Sequence, residues 1–549
     1  MTLSHLNFYD PEQRPWPNSR LDCASIIGHT TPTSTRLWFR ASSPGDYWLV
    51  FSRHRIPTNG TPEIINDEKG HWLRLTSPSI SQEIYSVTLV PLQLNQEHDL
   101  TGVVDLKNLQ PDTRYYYALF HLDREKPWEL GNEQNLSFQT FPEHPTEVNF
   151  GMFSCHMPYD EHQLLNLEMW DKFKQELLDT NANFLIGTGD QVYVDGEGNK
   201  QLNIWSWLKK NKKQNPSKTD MISWYRDIYR GYWGIPQVQQ LFKTFPTYMI
   251  WDDHEIMDGW GSYTPNELAA QLDTSWQLRN TQEHLRLANE MFEAAKQVYQ
   301  EYEHSHNPPT DTSIDQFDYQ FNCGFCSFYV LDMRGHHDYN RQELRLLGAE
   351  QWKRFDGWLN SQYDSESRVL FIVSPVPVVH FKSFAVNNLD IPYWKYTDDL
   401  RDHWDHKSNW AERDQLLKKV FEISQKTKKP IVFLSGDVHM GAAFKLSHEE
   451  SPSAKVFQLT SSGIAYASLS KFAMNILQKI VIDENFIESN ETKIPYKIEK
   501  IYVCTKNNFS LLHVKQLADG ELSIIFDLFS IDYDNKTFDR ERIELNKVS

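Results

Sequence analysis

The chain has 549 residues, 40% of them hydrophobic and 13% aromatic, with 74 acidic against 55 basic side chains for a formal charge of −19. That length predicts two or three domains, and the aromatic content excludes a disordered chain. The acidity disfavours a nucleic-acid backbone as the main partner, and none is expected as a stable one, since that needs a basic face, but it leaves room for a small anion in a local cationic pocket. Five scattered cysteines (Cys23, Cys155, Cys323, Cys326, Cys504) do not form a disulfide framework. No apolar run reaches the ~20 residues of a membrane span, and "MTLSHLNFYDPEQRPWPNSR" has neither an apolar signal core nor a twin arginine, so a reducing, cytoplasmic location is expected.

The first ~140 residues read as short strands. "STRLWFRA", "DYWLVFSR", "EIYSVTLV", "TGVVDL" and "TRYYYALFHL" are rich in β-branched and aromatic residues, with turn clusters such as "ASSPGD" and "LQPDT" between them. This is the pattern of a small β-sandwich. The stretch Leu106 to Phe120 resembles the turn and strand late in fibronectin type III-like domains. The segment Phe141 to Glu147, with two prolines, reads as a linker, so the expected domains are 1–144 and 145–549.

Strands and helices then alternate. "VNFGMFS" is an apolar strand, Leu164, Leu167, Trp170, Phe173 and Leu177 recur at helical spacing, and "NFLIGTG" is the next strand. Strand, helix and strand over ~40 residues make a βαβ unit, which implies a partly parallel sheet covered by helices. A long amphipathic helix is predicted over Thr281 to Glu303 and another through "LGAEQWKRFDGWLN". Strands are predicted at "FNCGFCSFYV", "VLFIVSPV" and "KPIVFLSG", and again over the last ~50 residues.

Four of these strands run into reactive residues at their carboxyl ends: Cys155-His156, Asp190 with Tyr193, Asp252-Asp253-His254-Glu255, and Asp437 with His439. Taken singly, each has an ordinary alternative. Gly-Asp is a turn former, "WDDHE" suits a helix amino terminus, "SGDVHMG" suits a turn with a satisfied histidine, and Cys155 suits an inert buried thiol. Taken together they point to one crevice, because ligands of open α/β sheets bind beyond the carboxyl ends of the strands. Carboxylate, imidazole, phenol and thiol together describe a mixed-ligand dinuclear metal centre. The thiolate favours a transition metal on one side, and an all-oxygen partner site suits calcium, magnesium or manganese.

The ordered set "FSCH", "GDQVYVD", "WDDHE" and "SGDVHMG", with "TPTSTRLWFRA", "LGAEQWKRFDGWL" and "SPVP", resembles the PhoD-like (alkaline phosphatase D) branch of the calcineurin-like metallophosphoesterases. The resemblance covers nearly the whole chain. It implies an α/β metallophosphoesterase sandwich of mixed sheets flanked by helices, behind an all-β amino-terminal domain. It also implies hydrolysis of phosphate mono- or diesters at a dinuclear centre with a metal-bound hydroxide as nucleophile. Asp190 would bridge the ions. Tyr193, Cys155 and His439 would complete an iron site, the Asp-x-x-Tyr spacing being shared with purple acid phosphatases, where the tyrosine binds ferric iron. Asp253 and Asp437 would bind the second cation (calcium, manganese or magnesium). His254 would meet the leaving-group oxygen, and Asp252 and Glu255 would orient the ligands from behind. The superfamily's remaining histidine ligand has no clear match, His380 and His336 being candidates, and Asp258 is left open as a ligand. Arg334, after "FYVLDM", is a candidate to hold a phosphate oxygen, with a surface ion pair as its alternative.

Other features carry less. "CGFC" has redox spacing but lies in a predicted strand, so structural cysteines are expected. "LKKNKKQNPSK" reads as a solvated loop, "HWDH" (His403 to His406) lacks a strand end, and the rings of "SWYRDIYRGYW" read mainly as helix packing, with a pocket-lining role as the alternative. The rival class is a non-catalytic protein that binds a partner or carbohydrate through its β-sandwich and keeps a closed, structural metal site.

Overall fold

The structure is a computed structural model that describes residues 21–58, 60–67, 70–77, 80–131, 136–159, 167–195, 203–212, 215–272, 281–382, 401–466, 481, 486–487, 495–518, 520–532 and 537–545. The amino-terminal strands are β1 (Ala24–Thr30), β2 (Thr35–Arg40), β3 (Gly45–Ser52), β4 (Thr61–Asp67), β5 (Gly70–Ser77), β6 (Ile80–Ser86), β7 (Thr88–Leu94), β8 (Thr101–Leu106), β9 (Arg114–Phe120), β10 (Trp128–Leu130) and β11 (Ser137–Gln139). One sheet runs β1-β2-β8, its partner runs β10-β9-β3-β7 with β11 on β9, and β4-β5-β6 form a third. Strand alternation explains the layering. Tyr47, Leu49 and Phe51 of β3 enter the core between the first two sheets with Ile27, Leu37 and Phe39, while Val50 points the other way onto Leu73 and Leu75 of β5.

Beyond it follow β12 (Glu147–Phe153), α1 (Leu167–Asp179), β13 (Phe184–Thr188), α2 (Ile204–Asn211), α3 (Lys218–Trp233), α4 (Pro236–Phe242), β14 (Thr247–Ile250), α5 (Pro265–Gln271) and α6 (Thr281–Tyr302). Next come β15 (Tyr319–Cys323), β16 (Cys326–Val330), α7 (Gly348–Ser361), β17 (Val369–Val373), α8 (Trp410–Thr427), β18 (Ile431–Ser435), β19 (Gly441–Ser447) and β20 (Val456–Thr460). The chain closes with β21 (Lys497–Cys504), β22 (Asn508–Gln516), β23 (Leu522–Asp532) and β24 (Thr537–Glu544). They build a six-stranded sheet, β14-β13-β12-β22-β23-β24, and a seven-stranded sheet, β15-β16-β17-β18-β20-β19-β21. Both are mixed: β12, β13 and β14 are mutually parallel, as are β16, β17, β18 and β20, whereas β22 joins β12 antiparallel.

Aromatic rings join the two sheets face to face. Phe150 of β12 meets Phe328 of β16 and Phe371 of β17 edge-on at 5.4 and 5.3 Å, and Phe184 of β13 meets Phe321 at 5.6 Å. Helix α1 covers the outer face of the first sheet through Trp170 and Phe173, and α7 covers the second through Phe355, 5.0 Å from Tyr329. The architecture is therefore the expected α/β sandwich of mixed sheets between helices. Leu164, one of the residues that predicted α1, lies outside the described residues.

Two local expectations change. "FNCGFCSFYV" is a hairpin rather than one strand, because Gly324 takes φ +54° and turns the chain so that Cys323 faces Cys326. The linker is not free: Phe141 is buried 6.0 Å from Phe184, and Pro145 packs over Gly324. Among the described residues no helix is long and apolar enough to cross a membrane.

Candidate metal centre

Strands β12, β13 and β14 of one sheet and β18 of the other end at the same edge, delivering Cys155, Asp190, Asp252-Asp253 and Asp437. The turns beyond them are tight. Cys155, Asp190, Asp437 and His439 have φ of +55°, +57°, +65° and +52°, a region that side-chain-bearing residues avoid at a cost of about 1–3 kcal/mol each. Glycines let the turns converge: a Cβ on Gly189 would stand 2.6 Å from that of Asp252, and one on Gly436 would stand 2.3 Å from Ser154 Oγ.

The side chains interlock. Cys155 Sγ lies 3.2 Å from Asp190 Oδ2, and the Tyr193 hydroxyl lies 3.3 Å from the same oxygen and 3.1 Å from His439 Nε2. Ser462 ties two of these residues together, donating to Cys155 Sγ at 3.0 Å and accepting the His439 N–H at 2.9 Å. The Tyr193 ring stacks on His254 with centroids 4.1 Å apart, and Tyr466 stacks on His439 at 3.7 Å. The Asp195 carboxylate, 2.7 Å from His254 Nδ1, fixes that imidazole and leaves Nε2 for other chemistry. Beneath them Glu255 accepts the backbone N–H groups of Asp190, Val192 and Asp252 at 3.1, 3.2 and 2.8 Å, and that of Gln191 as well. One buried carboxylate thus shapes the whole Asp190 turn.

Acid crowds this edge beyond what the protein neutralises. Asp190 Oδ1, Asp252 Oδ2, Asp253 Oδ1 and Asp437 Oδ2 are buried and receive no hydrogen bond. One oxygen each from Asp190, Asp252 and Asp437 lie within 4.8 Å of one another, as do ligand atoms of Asp190, Asp253 and His254. Burial, reinforced by the neighbouring charges, pushes Asp190, Asp252 and Asp437 well above the usual carboxylate range. Asp253 is also pushed up by burial, but Arg334, His254 and the Gly259 N–H outweigh this and hold it below the usual value. His254 is raised well above its ordinary value because Asp195, Asp253 and Asp190 overcome its burial. Buried carboxylate oxygens without donors cost several kcal/mol unless a cation occupies the space between them, so the donor set fits bound metal.

The expected ligands Cys155, Asp190, Tyr193, Asp253, Asp437 and His439 all fall in this crevice. Two candidates fall elsewhere, and the third, Arg334, reaches the cluster from beneath. His336 Nε2 lies 3.2 Å from the Asp315 carbonyl, and His380 is buried against Phe381 and Phe444. Arg334 is 1% exposed with its guanidinium on Asp252 and, at 2.6 Å, on Asp402, so it faces carboxylates instead of an open pocket. The histidine beside the cluster is His403, whose Nε2 stands 3.4 Å from Asp437 Oδ2. It belongs to "HWDH", which a strand-end criterion passes over because that segment is a loop before α8. Asp195 was missed for the opposite reason, since it sits in the recognised "GDQVYVD" but acts through a histidine 59 residues away. Asp258 donates its backbone N–H to Asp195 and groups with Asp195 and His254.

The amino-terminal sheet braces the edge strand of this centre. Asn307 replaces the missing neighbour of β14, accepting the Met249 N–H at 3.0 Å and donating to its carbonyl at 2.7 Å. Arg36 of β2 holds the Ser305 and Asn307 carbonyls at 3.2 Å, and His29 of β1 stands 3.2 Å from the Tyr248 hydroxyl. Helix α3 braces from the other side, Tyr232 bonding the Tyr193 carbonyl at 3.3 Å and Tyr225 that of Ile256 at 2.7 Å. Its rings are packing, with little left to line a pocket.

Residues 150–514 match the profile of PhoD-like phosphatase. The chain belongs to that family. Its fold is similar to that of PhoD, with a TM-score of 0.59 at 16% identity over 95% of this chain and 88% of the other. It is also similar to purple acid phosphatase PPD1 from seeds of yellow lupin (Lupinus luteus), with a TM-score of 0.53 at 12% identity over 96% and 75%. An uncharacterized protein of Saccharomyces cerevisiae, YGR266W, is 23% identical over 324 residues, or 47% of this chain and 44% of that one, so the chain spans less than half the length of this curated relative.

Proposed function

We propose that this PhoD-like chain hydrolyses phosphate esters at a centre of two cations, formed by residues 145–549, with the β-sandwich of 1–144 as its brace. What supports this is the set of four buried carboxylate oxygens that accept no hydrogen bond at the converging strand ends, in a chain of this family. Cys155, Asp190, Tyr193 and His439 would hold a ferric ion, since thiolate, phenolate and imidazole suit a strongly polarising transition metal. Asp190, Asp253 and Asp437, joined by His403 and the free oxygen of Asp252, would hold a divalent cation such as calcium, manganese or magnesium. Such a pair supplies charge for the phosphoryl oxygens and lowers the pKa of water.

The remaining work falls to this chain's own side chains. His254, kept protonated by Asp195, donates its Nε2 proton to the departing alkoxide as the P–O bond breaks. The Tyr193 ring holds the imidazole plane. Arg334 offsets the charge of Asp252, Asp253 and Asp402 from below. Glu255 holds the Asp190 turn against the repulsion of its neighbours.

The test is turnover of p-nitrophenyl phosphate and bis-p-nitrophenyl phosphate by metal-reconstituted protein. Hydrolysis of either that disappears on chelation and returns with metal supports the proposal, and the ratio of the two ranks monoester against diester. A loaded protein inert toward both, with its metal positions closed to solvent, would overturn it. Ferric iron on Tyr193 predicts coloured protein that Tyr193→Phe bleaches.

A further inference from the structure

The same seven-stranded sheet has a second charged edge. At the amino ends of β17, β18 and β20, opposite the metal side, lies a cleft of about 740 Å³. It is lined by Arg368, Lys428, Lys429, Lys445 and Lys455, with Glu521 as the single acid among its lining residues. Arg368 and Lys455 immediately precede β17 and β20, and Lys428 and Lys429 follow α8. By the rise of a strand, the cleft and Asp437 are on the order of 20 Å apart along β18.

Three of these cations donate to neutral acceptors. Arg368 donates to the Gly520 carbonyl, Lys428 to Ser453 Oγ at 2.6 Å, and Lys429 to the Gln362 and Ser365 carbonyls at 2.6 and 3.0 Å. Lys455 completes the group from the strand β20 side. The carboxyl terminus of α8 accounts for lysines at 428 and 429, whose charge suits the helix dipole, but not for Arg368 and Lys455 on separate strands. Lys428 even holds φ +62° at the helix cap, where glycine is the easier residue. Hydroxyls of Thr427, Ser447 and Ser453 line the same cleft, and Phe457 and Leu522 form an apolar floor.

We infer that this cleft binds a ligand carrying two or three linked phosphates, apart from the hydrolytic centre. Several cations on separate strands spread over a cleft of this size match a chain of phosphates better than one phosphate, and the guanidinium of Arg368 adds a planar fork for phosphate oxygens. The chemistry is shared by nucleoside polyphosphates and inorganic polyphosphate.

The test is calorimetric titration of the full-length protein with a non-hydrolysable adenosine triphosphate analogue, tripolyphosphate and orthophosphate. The analogue and tripolyphosphate should bind more tightly than orthophosphate and weaken with added salt. The triple variant Arg368→Gln/Lys428→Gln/Lys455→Gln should weaken both by roughly tenfold or more, these being exposed or half-exposed charged donors. Thermal melting checks that this variant stays folded. Affinity should survive in Asp190→Asn, which separates the cleft from the metal centre whether or not that centre hydrolyses esters. Tighter binding of the analogue would mark a nucleotide site, and equal binding an inorganic polyphosphate site. The inference is overturned if neither compound binds at millimolar concentration, if the triple variant binds as wild type, or if Asp190→Asn abolishes binding.

Discussion

Two sets of buried aspartates behave oppositely. Asp527 on β23 is fully enclosed, yet His513, Arg540 and Arg542 satisfy both its oxygens, and Asp405 is likewise satisfied by Arg413 and the His380 and Phe381 N–H groups. Asp190, Asp252 and Asp253 are as deeply buried and Asp437 half-buried, and each keeps one oxygen that accepts no hydrogen bond. Burial alone therefore does not mark a functional carboxylate. A cluster of such unfilled acceptors does, because several carboxylates crowded together stay ionised only with another charge between them.

The largest contrast should come from Asp190→Asn. On the proposed function Asp190 is a shared cation ligand, whose loss costs several kcal/mol of transition-state stabilisation, so kcat should fall about a thousandfold or more. The same change relieves repulsion, so the metal-free variant should melt no lower than metal-free wild type. Calorimetry on chelated proteins checks this, and a clearly lower melting temperature would place Asp190 with the structural aspartates.

Next in size is the proton donor. His254→Asn and Asp195→Asn should each lower kcat on an alkyl phosphate by roughly 10²–10⁴-fold. The loss should be much smaller on p-nitrophenyl phosphate, whose leaving group needs little protonation. Equal losses on both substrates would remove His254 from that role.

Metal removal should then separate the regions thermally. Metal at ~100 to ~1,000 times its Kd stabilises by about 3–4 kcal/mol, so chelation should lower the melting temperature of wild type by several degrees and that of Asp190→Asn by less. A melting curve indifferent to chelation would argue against a loaded centre.

The smallest effect belongs to Asp527→Asn, which should destabilise by about 2 kcal/mol through weakened charge-assisted hydrogen bonds. Burial opposes ionisation of Asp527, but Arg542, His513 and Arg540 overcome it and hold its pKa well below the ordinary value. The stabilisation is therefore complete above the unfolded-state pKa near 4 and fades as pH falls through the folded value. Melting temperatures of wild type and variant should differ most near neutrality and converge in strong acid. A gap that widens on acidification would contradict the cage.

Strand and helix periodicity placed most elements, because the apolar patterns of β12, β13, β18 and α6 are set by burial on known faces. The candidate donors were legible for a related reason: Cys155, Asp190, Asp253 and Asp437 follow apolar strands directly. His403 and Glu255 were less so. His403 lies in a polar loop with no period, and the four N–H groups gathered by Glu255 belong to residues 252 and 190–192, so its role exists only after β13 and β14 lie side by side. Arg334 looked like a phosphate clamp because nothing in "FYVLDMR" shows the carboxylates of Asp252 and Asp402 closing over it.

By itself the order of residues determined the strand–turn pairs, their glycines and the chemical kinds of donor at each strand end, because these depend on neighbours close in the chain. Only the tertiary structure decided which donors meet, which carboxylates are left unsatisfied and which cations gather at the far edge of the sheet. Those depend on parallel strands from two sheets ending together, which local sequence does not encode.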